Sequence, residues 1–312
     1  MRPRLAPAAR RCHLPPRNGI RLLSTHLLFD RKLLKTREAR AARAGRATFL
    51  LDHAAEELVA RLGAVKREFT NAIDAGDSLG NARERFKTAA RLPSLKPAPV
   101  DDETEKLLIE SEGTHDLAIS LLAMQWFSDL PGVLAQIKRA LKPDGLLLAA
   151  IIGGETLHEL REALAAAEDE REGGVSPRVS PFVEVRTLGS LLQRAGFALP
   201  VTDSESLTVR YDNALALMHD LRRMGATNVL IERSRNPLRR GTLFRAAEIY
   251  AQRFSDSDGR IRASFDILWM SGWAPHESQQ QPLKPGSAKM RLADALRTDE
   301  RPAGEKTGPK KN

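Results

Sequence analysis

Cysteine is almost absent from this 312-residue chain, and the single Cys12 excludes an intramolecular disulfide framework and any CxxC-type zinc site. A lone thiol in an arginine- and proline-rich stretch is also a poor candidate for a nucleophile. Such sparing use of cysteine fits a reducing compartment. Aromatic residues make up only 5% of the chain. No apolar run approaches the roughly 20 residues that a membrane-spanning helix requires, so no span is expected. The longest, LLLAAII (Leu146 to Ile152), has the length of a buried strand. The seven histidines are scattered, and no His-x-Asp/Glu is followed by a distant histidine. A facial triad for non-haem iron is therefore not signalled, and no metal site is expected. Neither Gly-x-Ser-x-Gly nor an internal repeat occurs.

What the chain does have is 42% hydrophobic residues, enough for a core, and a net charge of +9. The charge is localised. Residues 1–46 hold 13 Lys/Arg and 2 Asp/Glu, a net of +11; the remaining 36 basic and 38 acidic residues give −2 for residues 47–312. The body is thus close to neutral, and it carries no basic sheet studded with aromatics and no DNA-reading motif. Nucleic acid is not an expected partner. The first 28 residues contain six arginines, four prolines and no acid. They read either as a disordered basic tail, with the protein cytoplasmic, or as a transit peptide leading to the mitochondrial matrix. The prolines, which break helices longer than a few turns, favour the tail. Residues 296–312 also read as a disordered tail.

Between the tails, residues 31–62 read as helix broken near Gly45, and Phe69 to Gly76 as a strand entering a turn. Asn81 to Ala90 reads as helix, after which Pro93, Pro97 and Pro99 interrupt the chain. Asp116 to Leu122 is a continuous apolar strand. Ser128 and Asp129 offer an N-cap to LPGVLAQIKRAL, with proline in the first turn. Lys142 to Gly145 ends that helix before LLLAAII. Thr156 and Glu159 have the spacing of a capping box for a helix over 157–170. A helix over Thr187 to Ala195 stops at Gly196, followed by strand-like Ser206 to Tyr211 and Ile261 to Met270 and by helices over 213–224 and 242–254. The alternation implies a doubly wound α/β domain with a parallel sheet, over residues 29–200. An accessory C-terminal α+β region is expected over 201–295. Residues 68–76, 116–122 and 146–152 are expected to be neighbouring parallel strands, with the Gly76–Gly80 turn at their carboxyl edge.

In an open α/β sheet, ligands sit beyond the carboxyl ends of the strands. Asp74-Ala75-Gly76-Asp77-Ser78-Leu79-Gly80 fits D-x-G-x-G-x-G with Ser78 at the middle glycine, so a Cβ stands where backbone usually closes on a ligand. The stretch HDLAISLLAMQWFSDLPGVLAQIKRALKPDGLLLAAIIGG resembles the fourth and fifth strands of class I S-adenosylmethionine-dependent methyltransferases. Gly153 to Phe182 (GGETLHELREALAAAEDEREGGVSPRVSPF), Gly272 to Lys289 (GWAPHESQQQPLKPGSAK) and Phe29 to Ala42 (FDRKLLKTREARAA) are more specific. They are similar to the family of methyltransferase-like complex I assembly factors and their proteobacterial relatives, whose mitochondrial members hydroxylate an arginine. The likeness spans residues 29 to about 295.

The resemblance implies S-adenosylmethionine as cofactor, held at its amino-acid end by Asp74, Gly76, Ser78 and Gly80. It implies an adenine contact from Asp101 or Asp102, and Trp126 bordering the reaction centre. Gln125 stands where hydroxylase-like members carry histidine; its Gln-Trp pair is similar to that of malonyl-carrier-protein methyltransferases. Glu155, Arg171, Ser176 and His276 are candidate substrate or partner contacts. The run Glu168 to Glu172 reads either as a solvated helix end or as a face for a basic substrate segment. Only 34 residues separate Gly80 from His115, where the resemblance asks for two strands and two helices, and no acid for the ribose hydroxyls is identifiable. The expected function is a methyltransferase-like protein acting on a protein substrate, in complex I assembly on a subunit of that complex. A non-methylating assembly factor or arginine hydroxylase is the alternative, and carrier-protein methylation a further one.

Overall fold

The computed structural model describes residues 27–77, 79–80, 83–280 and 290–298. The expectations for residues 1–26, for Ser78 and for most of the C-terminal tail fall outside them. Helices α1 (Arg31–Arg43) and α2 (Phe49–Ala64) are separated by Gly45, whose φ of +78° is left-handed. Asp30 caps α1 by accepting the Leu33 N–H at 3.0 Å.

Strands β1 (Ala72–Ala75), β2 (Leu95–Ala98), β3 (His115–Leu121) and β4 (Leu141–Gly153) alternate with α3 (Arg83–Ala89) and α4 (Leu130–Ala140). In the six-stranded sheet the order is β2-β1-β3-β4-β6-β5, with β6 at Ile261–Trp273 and β5 at Ala198–Tyr211. The first four strands are parallel: Ala72 lies opposite Leu117, and Leu117 opposite Leu146. The three strands expected to be parallel neighbours are so, and the Gly76 turn leaves their carboxyl edge. All of β3 is buried, because helices cover both of its faces. Successive residues alternate between faces. Leu117 and Ile119 pack with Ala54 and Leu58 of α2, whereas Ala118 packs with Leu134 and Ile137 of α4 and Leu188 of α6 (Val185–Ala195).

Three expectations need correction. The segment that prolines were expected to interrupt contains β2, with Pro97 opposite Asp74. An outer strand tolerates the missing N–H, so Pro97 does not prevent pairing. Only one strand lies between the Gly76 turn and His115, one fewer than the resemblance asks for. Second, the strand-like segments beyond residue 200 extend the same sheet, and both new pairings, β4–β6 and β6–β5, are antiparallel. The sheet is therefore mixed rather than wholly parallel. Third, no capping box forms before α5 (His158–Glu172). Thr156 Oγ1 donates to the Gly153 carbonyl at 2.7 Å and accepts the Asp266 N–H at 2.8 Å. Glu159 accepts from the Ser264 hydroxyl at 2.6 Å. Both side chains bind β6, and tertiary partners have outcompeted the local cap.

Helices α7 (Ala214–Met224) and α8 (Arg240–Phe254) pack with α5 around Leu160, Leu217 and Ile249. Residues 276–280 and 290–298 belong to a second compact unit, with α9 at Leu292–Leu296. No helix among the described residues is long and apolar enough to cross a membrane.

Candidate functional site

Gly76 turns the chain out of β1 with φ +89°, and its N–H donates to the Ala98 carbonyl of β2 at 2.8 Å. A Cβ on Gly76 would stand 3.3 Å from the Cβ of Ala123, so the turn lies hard against the segment leaving β3. Asp74 is fully buried, and its Oδ2 accepts the Leu79 N–H at 3.0 Å. Arg83 of α3 reaches back to pair with Asp74 at 3.5 Å and with Asp77. Asp74 thus fixes the turn from beneath, through the turn's own amide, and is a positioning residue.

A cleft of about 550 Å³ opens above this turn. Its floor is Gly76, Asp77, Leu79 and Gly80; one wall is Pro99 and Val100, which leave β2. The other wall is Leu121 to Ala123, Trp126 and Phe127, which leave β3. The roof comes from α1, where Arg31, Leu34, Lys35 and Glu38 recur at helical spacing on one face. The N-terminal segment is anchored there. Leu28 N–H donates to Ser128 Oγ at 2.9 Å, Arg31 donates to the Trp126 carbonyl at 3.3 Å, and Phe29 meets the Trp126 ring edge-on at 5.7 Å.

Among the residues expected at the site, Gly76, Gly80 and Trp126 converge on this cleft. Asp101 does not border it; its carboxylate accepts the Glu103 and Thr104 N–H groups and the Thr104 hydroxyl, holding its own turn. Asp102 does not line the cleft either, but it pairs through Oδ2 with the cleft residue Lys35 at 2.5 Å, while its Oδ1 is buried without a hydrogen-bond partner among the described residues. Gln125 lies beside the cleft on the short 3-10 turn Met124–Trp126. Its Nε2 donates to the Leu122 carbonyl at 2.6 Å, and its Oε1 is buried and unpartnered among the described residues.

The remaining candidates lie elsewhere. Glu155 is exposed, with its N–H on Asp266; Arg171 is exposed at the end of α5. Ser176 donates its N–H to Glu168, and His276 bonds Ser278 within the second unit. The acidic run is not a free face. Glu168 is buried on Arg178 at 2.6 Å, Glu170 pairs with Arg245 at 2.6 Å, and Glu172 accepts from Thr242 at 2.6 Å. Glu168, Glu170 and Glu172 thus have partners on α8 and the 176–178 loop, while Asp169, Glu170 and Glu172 remain exposed.

Arg31, Lys35, Glu38, Arg46 and Arg83 were not among the expected site residues. The i, i+4, i+7 spacing of Arg31, Lys35 and Glu38 was the available signal. Burial pushes the Glu38 carboxyl above the usual range, although Arg46, Arg31 and Lys35 pull it down and Asp102 adds to the rise. An acid held this way in the lining of a cleft is a candidate functional group.

Comparison with known proteins bears on this geometry. Residues 50–200 match the family described as a methyltransferase domain. The mitochondrial arginine-hydroxylase NDUFAF5 of Danio rerio is 39% identical over 262 residues, covering 79% of this chain and 81% of that protein. The chain belongs to this family. Its human relative of the same name is 35% identical over 288 residues, covering 86% of this chain and 83% of that one. A malonyl-[acyl-carrier protein] O-methyltransferase of Xylella fastidiosa (strain M23) is 37% identical over 165 residues, covering 53% of this chain and 54% of that enzyme. The family expected from the Gly153–Phe182 and Gly272–Lys289 stretches is thus the one found. Helix α1 lies outside the matched methyltransferase domain, yet it roofs the cleft.

Proposed function

We propose that this chain binds S-adenosylmethionine in the 550 Å³ cleft and acts on a protein substrate, a respiratory complex I subunit, during assembly of that complex. The observation that carries the proposal is the cleft itself, set on a glycine turn at the carboxyl edge of β1 and β3. Its volume falls within the roughly 300–1,000 Å³ of ligand and cofactor sites. The donor set fits the group. Trp126 and Phe127 give an apolar wall, Gly76 lets backbone approach, and Asp102, paired with the roof residue Lys35, is the candidate for the ribose hydroxyls. When bound, the cofactor supplies an activated methyl group. The chain's part is then positioning: the turn fixed by Asp74, the roof of α1, and the exclusion of water by Leu34, Leu121 and Leu122.

A second reading is arginine hydroxylation, or non-methylating assembly, on the same partner. It is favoured by the family's NDUFAF5 relatives, which match across most of the chain. Methylation of a carrier protein is suggested by the Gln125-Trp126 pair and by the malonyl-[acyl-carrier protein] O-methyltransferase relative, which matches about half of the chain. We place the protein in the cytoplasm, or in the mitochondrial matrix if the arginine-rich leader is a transit peptide.

Titration calorimetry of the full chain with S-adenosylmethionine and S-adenosylhomocysteine tests the cofactor. Binding that Asp74→Ala abolishes is expected, and no binding by the unmodified protein refutes it. Complex I assembly in the native host after deletion of the chain, with and without re-expression, tests the partner. Normal assembly without the protein refutes it.

A further inference from the structure

Three cavities follow one another away from the glycine turn. The cofactor cleft of about 550 Å³ shares Leu34, Glu38 and Arg46 with a cavity of about 100 Å³, and that cavity meets a third, of about 190 Å³, at Ala226. The third lies between α5, α7 and the 178–182 segment. An apolar cavity of about 150 Å³ accommodates benzene, so this one has room for a leucine or phenylalanine side chain. Its walls are pre-set. Glu168, 1% exposed, accepts the Ser176 N–H at 2.8 Å and the Arg178 Nε–H at 2.7 Å, which pins the 178–182 wall. A buried ion pair is a weak source of stability, and its clear effect here is to fix this segment. Asn228 ties that wall to the opposite one, donating from Nδ2 to the Pro177 carbonyl at 2.6 Å. The Asn228 carbonyl in turn accepts from Arg37 of α1, the helix that roofs the cleft.

The lining selects what fits. Leu157, Leu160 and Leu221 form a buried floor, and Val179, Phe182 and Met218 stand half-buried around it. The polar groups are donors. Ser180 is only 8% exposed, and its hydroxyl has no hydrogen-bond partner among the described residues. The Thr227 hydroxyl and the exposed Arg222 guanidinium also have none among them. Arg178, the other cation, is already taken by Glu168. No carboxylate stands among the described lining residues. An apolar floor with hydroxyls and one unengaged guanidinium above it matches a large apolar side chain next to a carboxylate.

We infer that this third cavity anchors a segment of the protein substrate, taking a large apolar side chain on its floor and an adjacent acidic side chain on Arg222. The inference rests on the proposed action on a protein substrate. The anchor lies outside the cofactor cleft, so it sets which segment is presented there without touching the reacting atoms. Through Asn228 and Arg37 it is held in register with the roof of the cleft.

The test uses the acetylated, amidated tetrapeptide Gly-Leu-Asp-Gly as probe. Gly-Ala-Asp-Gly and Gly-Leu-Asn-Gly, blocked in the same way, remove the apolar side chain and the charge in turn; hexanoate stands for a lipid-like carboxylate. Each is titrated by NMR against the full chain. The alanine peptide is expected to bind at least about 10-fold more weakly than the probe, the scale of a buried leucine. The asparagine peptide should bind at least about 3-fold more weakly, the scale of a partly exposed charge pair. Arg222→Gln should make the aspartate and asparagine peptides equal. Met218→Trp, which fills the cavity, should abolish binding of the probe. An unchanged thermal unfolding midpoint shows that each variant is folded. Equal binding of the leucine and alanine peptides, equal binding of the aspartate and asparagine peptides to the unmodified protein, or tighter binding of hexanoate than of the probe overturns the inference. So does an aspartate preference that survives Arg222→Gln, or the absence of any binding. Failure of S-adenosylhomocysteine to bind, with the Arg222-dependent preference intact, refutes the cofactor and leaves the anchor standing.

Discussion

Replacing Asp74 tests whether the glycine turn is held by its own chain or by a bound ligand. The side chain is fully buried, accepts the Leu79 N–H at 3.0 Å and pairs with Arg83 at 3.5 Å. Asp74→Ala removes the acceptor and leaves Arg83, only 18% exposed, with Asp77 as its remaining carboxylate. Losing a hydrogen bond to a charged acceptor costs about 1.5–3 kcal/mol. Breaking a buried pair costs about 3–5 kcal/mol when the surviving charge has no other partner. Asp77 softens that penalty, so about 2–4 kcal/mol is expected for Asp74→Ala. Asp74→Asn keeps an acceptor oxygen and should cost roughly half as much. The assay is urea denaturation of Asp74→Ala, Asp74→Asn, Arg83→Met and the Asp74→Asn/Arg83→Met double variant, each with a calorimetric titration of S-adenosylhomocysteine. Affinity should fall in the same order as stability, because Asp74 reaches the cleft only through the turn. An unchanged unfolding midpoint for Asp74→Ala, or a larger loss of affinity in Asp74→Asn than in Asp74→Ala, would refute the positioning role.

Gly76→Ala is expected to weaken S-adenosylhomocysteine binding more than Gly80→Ala. Gly76 has φ +89° and a Cβ there meets Ala123 at 3.3 Å, whereas a Cβ on Gly80 meets nothing within 4 Å; equal calorimetric affinities would contradict this. Asp102→Asn should lower affinity for S-adenosylhomocysteine by about 10-fold, the worth of one charge-assisted hydrogen bond, and an unchanged affinity would remove Asp102 from the site. Glu38→Gln should raise stability at neutral pH. With its folded pKa above 4.5, the native state binds more protons than the unfolded chain between the two values, so stability falls as pH rises through that window. Thermal scans across acidic to neutral pH should show this fall in the unmodified protein and a flatter profile in the variant.

The parts of the fold that were legible in the sequence are those fixed by local pattern. The buried runs of β3 and β4, the Gly45 break between α1 and α2, and the Asp129 cap of α4, whose Oδ1 accepts the Gly132 N–H at 2.9 Å, follow from residue spacing alone. What was not legible depends on distant partners. Pro97 reads as a strand breaker unless the strand is known to lie at the sheet edge. Thr156 and Glu159 read as a cap until Ser264 and Asp266 are seen beside them. Glu168 reads as a solvated acid until Arg178 folds back onto it. At the site, the glycine turn and Trp126 carried recognisable motifs. Glu38 did not, because one acid on a basic helix says nothing of the cavity beneath it.

The missing strand also changes which acid can serve the nucleoside. With one strand fewer than the resemblance asks for, β2 pairs directly with β1, and the residues leaving β2 become the wall nearest the glycine turn. In doubly wound sheets an acid beyond the neighbouring strand, about 20 residues after the glycines, is the one that reaches ribose hydroxyls. Asp101 and Asp102 occupy that stretch here. Asp101 is spent on its own turn, whereas Asp102 keeps one buried oxygen without a partner and is steadied by Lys35 through the other. Losing the ribose contact outright would weaken binding by roughly 10- to 1,000-fold. On the proposed reading, shortening the sheet leaves Asp102, expected from the resemblance near the adenine, as the candidate for the ribose contact. Lys35 lies on α1, outside the matched methyltransferase domain, so if Asp102 serves the nucleoside, its placement depends on the N-terminal helix as well as on the sheet.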